Sequence, residues 1–214
     1  MHSISPSADQ ATAMRRYYRF HAAIYDATRW TFLFGRNRIL HVLPTQKELT
    51  IAEVGCGTGR NLRRLARLHP DWNLVGIDIS PEMLDRAGKR LASFSRRLRL
   101  FEKPYGTGHF HLPEPADIVL FSYALTMFNP GWEAAIEQAR KDLTLGGLIA
   151  VVDFYDTPFS WFRRWMGYNH VRMDRHLLPK LEACFATKTR LVRRGWGGLW
   201  RYFIFIGENP LSHG

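Results

Sequence analysis

The stretch IAEVGCGTG at 51–59 narrows what this chain can fold into more than any other. An apolar run of strand length, Thr50–Val54, ends at three glycines in alternate positions, Gly55, Gly57 and Gly59. An amphipathic segment follows at Asn61–Leu68, with Leu62, Leu65 and Leu68 on one side. A buried strand leading through a tight turn into a helix is the first half of the crossover that joins parallel strands. Glycine lets the backbone turn sharply and sets no side chain against a ligand, and the helix start presents unbonded N–H groups. The stretch is therefore a candidate cradle for a nucleotide-like cofactor as well as a turn.

The alternation continues downstream. Leu74–Ile77 is predicted as a second strand, ending at Asp78. Ser80-Pro81-Glu82 then starts a helix, with a capping Ser, Pro at the first helical position and an acid in the first turn. Further strands are expected at Leu98–Glu102, Asp117–Ser122 and Leu148–Asp153, with a helix at Trp132–Leu143 closed by Gly146-Gly147. The ending differs: a helix near 178–186, a strand near 188–193, the turn GWGG and a strand at 199–206 read as an antiparallel hairpin at a sheet edge. The expected fold is α/β and Rossmann-like. It has a seven-stranded, mostly parallel sheet with a C-terminal antiparallel hairpin, helices on both faces and an N-terminal helical lid. Its parts are a loose tail at 1–10, the lid at 11–44 and a cofactor domain at 45–214, the latter carrying an aromatic and basic insertion at 154–180.

Two cofactor classes compete for the glycine stretch. The dinucleotide fingerprint G-x-G-x-x-G, counted from Gly55 and Gly57, needs a glycine where this chain has Arg60. The spacing present is G-x-G-x-G, preceded by Glu53, and Asp78 stands 19 residues after Gly59. E-V-G-C-G-T-G followed by that acid resembles the first two motifs of class I S-adenosylmethionine-dependent methyltransferases. The resemblance implies S-adenosylmethionine as cofactor and S-adenosylhomocysteine as product. It implies that Glu53, Gly55, Cys56, Gly57 and Gly59 hold the cofactor, with Asp78 on the ribose diol and Ile79 and Met83 flanking the adenine. A carboxylate suits a diol because it accepts two hydrogen bonds. Many members place an Asp after the third strand; here the segment is FEKPYGTGHF, with Glu102 the nearest acid and Tyr105-Gly106 in the usual Asp-Ala place. Ser122, at the end of the fourth strand, and Arg36, as a partner for the cofactor's carboxylate, complete the expected set.

Upstream, the segment H-x-x-I-Y-D-x-T-R with an aromatic run and G-R-x-R resembles the bacterial diacylglyceryl-homoserine, phospholipid and ornithine-lipid N-methyltransferases. That resemblance implies successive N-methylation of a lipid headgroup amine to a trimethylated betaine, and it sets Tyr25 over the cofactor. The alternative acceptor is a soluble small molecule or a quinone. The attacking nitrogen must lose its proton, and an alkyl amine has a pKa of about 10, so a proton acceptor or desolvation is needed. Asp153, His170 and His21 are the candidate acceptors. Aromatic faces stabilise a trimethylammonium product, which nominates Tyr25, Trp30, Tyr123 and Tyr155, with Tyr25 and Tyr123 foremost. Arg29 or Arg172 suits a substrate carboxylate or phosphate, and Tyr18 lies on the same aromatic helix face as Tyr25.

Charge bears on partners. The chain carries a net charge of +11, which attracts polyanions, either nucleic acid or an acidic membrane. Amino-methylating DNA enzymes carry N/D-P-P-Y/F after strand four, whereas this chain has FSYALTMF, and neither Cys56 nor Cys184 stands where a base-carbon methylase needs its nucleophile. No nucleic-acid partner is expected. The segment SWFRRWM, with Trp161, Phe162, Trp165 and Met166 expected on one helical face, suits a membrane interface. Cys56 sits where a disulfide would block the turn, the first ten residues do not form a signal peptide, and no apolar run approaches the roughly 20 residues of a span. The expectation is a cytoplasmic protein, peripheral at the inner face of the membrane. No His/Cys cluster has ligand spacing, and no metal is expected.

Overall fold

The computed structural model describes residues 33–169 and 171–210. The chain divides after Leu33, and the compact unit described here begins at Phe34. Its centre is one seven-stranded sheet in the order β3-β2-β1-β4-β5-β7-β6. The strands are β1 (Thr50–Val54), β2 (Asn73–Asp78), β3 (Leu98–Glu102), β4 (Ala116–Ser122), β5 (Leu143–Asp156), β6 (Ala186–Gly195) and β7 (Trp200–Glu208). β1 to β5 pair in parallel, and β7 runs antiparallel between β5 and β6. The helices are α1 (Arg36–His41), α2 (Arg60–Leu68), α3 (Pro81–Arg90), α4 (Trp132–Asp142), α5 (Ser160–Tyr168) and α6 (Leu177–Cys184). Among the described residues no helix is long and apolar enough to cross a membrane.

The strand order follows from the burial of each segment. The inner strands β1, β4 and β5 are apolar on both faces, as a sheet covered by helices on each side requires, and Ile51, Ala52, Val119, Leu120, Ala150 and Val151 are all fully buried. β3, at one edge, is only partly buried. Because the order reverses between β1 and β4, the loops after those two strands diverge and leave a crevice at their C-terminal ends, where ligands of open α/β sheets bind.

Two boundaries differ from expectation. The sheet-bearing unit starts at Phe34, not residue 45, because α1 belongs to it: Ile39 and Leu40 are buried, and a Cβ on Gly35 would lie 2.5 Å from the Tyr202 ring of β7. Gly146 and Gly147 do not close α4. They lie within β5, and the turn between helix and strand is held instead by Asn209, whose Nδ2 donates to the carbonyls of Arg140 and Thr144 at 3.2 Å each.

Candidate active site

The three glycines of the turn all have positive φ, 69° at Gly55, 52° at Gly57 and 70° at Gly59, but for different reasons. A Cβ on Gly59 would strike Leu91 Cδ1 at 2.8 Å and Ala87 at 3.1 Å, so this glycine lets α2 seat against α3. Around Gly57, no described atom stands within 4 Å of the Cβ position. Among the described residues that position is open, as a ligand cradle requires. Cys56 turns inward instead. It is buried, with its Sγ packed toward Gly76 beside Leu100 and Leu62 and donating to the Gly57 carbonyl at 3.8 Å. Burial raises its thiol well above the ordinary range.

Two acids bracket this turn. Asp78, at the end of β2, accepts from Gly57 N–H at 2.8 Å through Oδ2 and from Ser80 N–H at 3.0 Å through Oδ1. It thereby ties the glycine turn to the start of α3, which Ser80 caps by accepting from Met83 N–H at 3.2 Å. Glu53 is 1 % exposed at the end of β1. Asn61, one residue into α2, donates to its Oε1 at 2.6 Å, and its Oε2 has no hydrogen-bond partner among the described residues. Burial pushes the Glu53 carboxyl up to about 7, against the pull of the Arg36 charge, the Asn61 bond and the nearby Leu62 backbone N–H.

On the other side of the crevice, Arg36 at the start of α1 donates from Nε to Ser122 Oγ at 3.1 Å. Tyr123, the next residue, adopts φ 58°, rare for a side chain of this size, and is 1 % exposed. Its hydroxyl donates to the Phe34 carbonyl at 2.6 Å, and burial holds its pKa well above the ordinary value. Such strain at a strand's C-terminal end marks sites where the surrounding structure dictates the backbone.

A family model described as a methyltransferase domain matches residues 52–149, from within β1 to within β5. Over that stretch, just under half of the chain, the sequence is similar to methyltransferase domains. It is 31% identical over 115 residues to trans-aconitate 2-methyltransferase of Afipia carboxidovorans, covering 53% of this chain and 41% of the relative. It is 27% identical over 156 residues to the enzyme of that name from Methylobacterium nodulans, covering 72% and 56%. The chain thus spans about half the length of these curated relatives. Its fold is similar to that of the N-methyltransferase NodS from Bradyrhizobium japonicum in complex with S-adenosylhomocysteine. The TM-score is 0.68 at 21% identity, covering 82% of this chain and 86% of that one.

The cofactor of this methyltransferase fold is S-adenosylmethionine, and the residues present fit it. A buried carboxyl with an unbonded oxygen is satisfied by a ligand that brings a cation or an N–H donor, and S-adenosylmethionine has an ammonium group. The open space at Gly57 and the guanidinium of Arg36 sit at the same strand ends as Glu53. Ile79, just past β2, is 49 % exposed, and Met83 is half-buried one turn into α3, as a pair flanking an adenine would be. Glu102 is exposed and lies opposite Asp78 in the β2–β3 ladder. Tyr105 does not face this crevice. It is buried, and its hydroxyl donates to Asp142 of α4 at 2.8 Å.

The acceptor side departs further from expectation. Asp153 is 0 % exposed and accepts from Thr126 Oγ1 at 2.5 Å, Phe154 N–H at 2.8 Å and Thr126 N–H at 3.1 Å. It fastens the loop after β4 and reaches no solvent-borne amine. The Tyr155 ring lies under two cations already, with Arg201 at 5.4 Å and Arg175 at 5.6 Å from its centroid, both guanidiniums held by Asp156. A third cation there would be repelled. Arg172 is paired with Asp174 at 2.6 Å, and its backbone N–H donates to Thr126 O, so it does stand beside the β4 loop. Tyr18, His21, Tyr25, Arg29, Trp30 and His170 lie outside the described residues. Asn61 and His176 were not anticipated. The His176 Nδ1 bonds Asp174, its Nε2 is buried without a hydrogen-bond partner among the described residues, and burial lowers its pKa, outweighing the Asp174 charge. The D-x-H spacing of Asp174 and His176 was the available signal; Asn61 had none, because its role depends on the turn geometry.

Proposed function

We propose that this protein methylates a small organic acceptor with S-adenosylmethionine, and that the acceptor atom is an amine nitrogen. The observation that carries the cofactor half is the buried Glu53 carboxyl with its unbonded Oε2, at the end of β1 beside an open Gly57. The two relatives described above, both trans-aconitate 2-methyltransferases by name, support a small acceptor. Bound S-adenosylmethionine supplies a methyl group on a positively charged sulfur. In this proposal Glu53 faces the ammonium group, Asp78 the ribose and Arg36 the carboxylate. The β4 loop, fixed by Asp153, and Arg172 beside it present the acceptor. Alignment of the reacting atoms at about 3–3.5 Å, together with exclusion of water from the crevice, accounts for most of the rate. A lone pair on the acceptor is required, so turnover rises with pH until the amine is deprotonated.

A second reading, N-methylation of a lipid headgroup, is favoured by the exposed aromatic face of α5, where Trp161 is 61 % and Trp165 48 % exposed. One experiment separates the two. The purified protein is incubated with labelled cofactor and three pools: small carboxylates including trans-aconitate, small amines, and lipids including diacylglyceryl homoserine. Label in the amine pool supports the main proposal. Steps of one to three methyl groups on one lipid class support the second reading. Cofactor binding without S-adenosylhomocysteine formation in any pool refutes both.

A further inference from the structure

α5 was expected to present Trp161, Phe162, Trp165 and Met166 on one face, and the structure splits them. Phe162 and Met166 are buried, with the Phe162 ring stacked on Trp200 at 5.8 Å and 17°. Trp161, Trp165 and Tyr168 recur at helical spacing on the other side and are 61 %, 48 % and 75 % exposed. Trp196, at the tip of the β6–β7 turn, is 58 % exposed. The two elements are joined by a continuous run of rings: Phe162 lies 5.6 Å from Trp161 and from Trp165, Trp200 lies 5.8 Å from Phe34, and Phe34 lies 6.4 Å from Trp196. The exposed indoles therefore sit on one rigid aromatic base.

Charge is distributed to match. Neither 157–169 nor 190–201 contains an acid, and together they carry six arginines. Asp156 and Glu182, which lie outside those segments, pair Arg201 and Arg190. Arg164, Arg193 and Arg194 are exposed and make no ion pair among the described residues. From these observations we infer that the α5 face and the β6–β7 tip form a docking surface for an acidic lipid bilayer. Indole and phenol rings favour the headgroup zone, and guanidiniums beside them meet anionic headgroups. Charge argues against a second copy as the occupant, because it brings another +11. The inference goes beyond the methyl-transfer proposal and does not require the acceptor to be a lipid.

The test is flotation of the full-length protein with phosphatidylcholine vesicles, with and without one third phosphatidylglycerol. Binding is expected only to the acidic vesicles, weakening as salt is raised. Covering a half-exposed Trp recovers about half of a full aromatic burial, so Trp161→Ala and Trp165→Ala each weaken partition on the order of tenfold. Arg164→Gln, Arg193→Gln and Arg194→Gln each weaken it about fivefold. S-adenosylmethionine titration verifies that the variants are folded. If the Trp variants lose cofactor binding, the Arg triple variant, which leaves the core untouched, decides alone. Three results overturn the inference: no binding to acidic vesicles, binding unchanged in the variants, or transfer RNA removing the protein from vesicles completely. None depends on turnover, so a failure here is distinct from a failure of the methyl-transfer proposal.

Discussion

Glu53→Gln is the perturbation that most directly tests the account of the site. In the unfolded chain this carboxyl titrates near 4.5, and in the fold burial raises it to about 7. Between those values the folded state keeps a proton that the unfolded state has lost. Stability therefore falls as pH rises through that window: the neutral carboxyl's contribution is complete below 4.5 and lost above 7. The difference between 7 and 4.5, at about 1.4 kcal/mol per pH unit, comes to about 3 kcal/mol. That is a large share of the roughly 5–15 kcal/mol that holds a domain together. Glutamine has the same shape, stays neutral at every pH and retains an oxygen for Asn61. Urea unfolding from about pH 5 to pH 8 should thus give equal stabilities at the acid end and a variant more stable by about 2–3 kcal/mol at the alkaline end. An ammonium set against Glu53 pulls its pKa down. Cofactor binding near neutral pH should then release a proton from the parent protein and none from the variant, read by calorimetry in two buffers of different ionisation enthalpy. The variant should also bind cofactor at least about tenfold more weakly, as loss of a charge-assisted bond requires. A flat difference between the two stability curves, or a variant less stable at pH 8, would refute the reasoning.

Other substitutions separate packing from binding. Gly57→Ala should cost about 1–2 kcal/mol of stability through its positive φ, and should weaken S-adenosylmethionine binding further by placing a methyl in the cradle. Gly59→Ala should cost more, about 2–4 kcal/mol, because Leu91 and Ala87 stand in the way, yet leave affinity unchanged in the folded fraction. Identical profiles for the two, in calorimetry and chemical unfolding, would contradict the distinct roles assigned to them. Asp153→Ala leaves buried Thr126 and Phe154 donors without an acceptor and should destabilise by about 3–5 kcal/mol. A variant of normal stability with lost turnover would instead make Asp153 the proton acceptor. Asn209→Ala releases the carbonyls of Arg140, Leu143 and Thr144 at the α4–β5 turn, and thermal unfolding should register about 1–2 kcal/mol.

Much of the cofactor side was legible because its signals are local. A strand, a glycine turn and a capped helix are set by neighbouring residues, so Thr50–Val54, Leu98–Glu102 and the Ser80 cap fell where expected. The acceptor side was less legible because its side chains are positioned by partners far along the chain. Asp153 reads as a candidate base until Thr126 is folded over it, and Tyr155 as an open aromatic face until Arg175 and Arg201 cover it. α5 shows the same limit: apolar residues with a four-residue spacing predict a helix, while which face is buried depends on Trp200, which lies 38 residues beyond Phe162 in the chain.

What the sequence determined by itself was the α/β alternation, the antiparallel ending and a glycine turn between strand and helix; the resemblance to methyltransferase motifs added the cofactor. The first three rest on periodicity, turn chemistry and the steric freedom of glycine, all of which act over a few residues. Tertiary structure alone decided the burial of Glu53 that raises its pKa, the sealing of Tyr123 and Asp153, and which tryptophans remain exposed. Each depends on how much water a group loses, and that is set by segments the sequence keeps far apart.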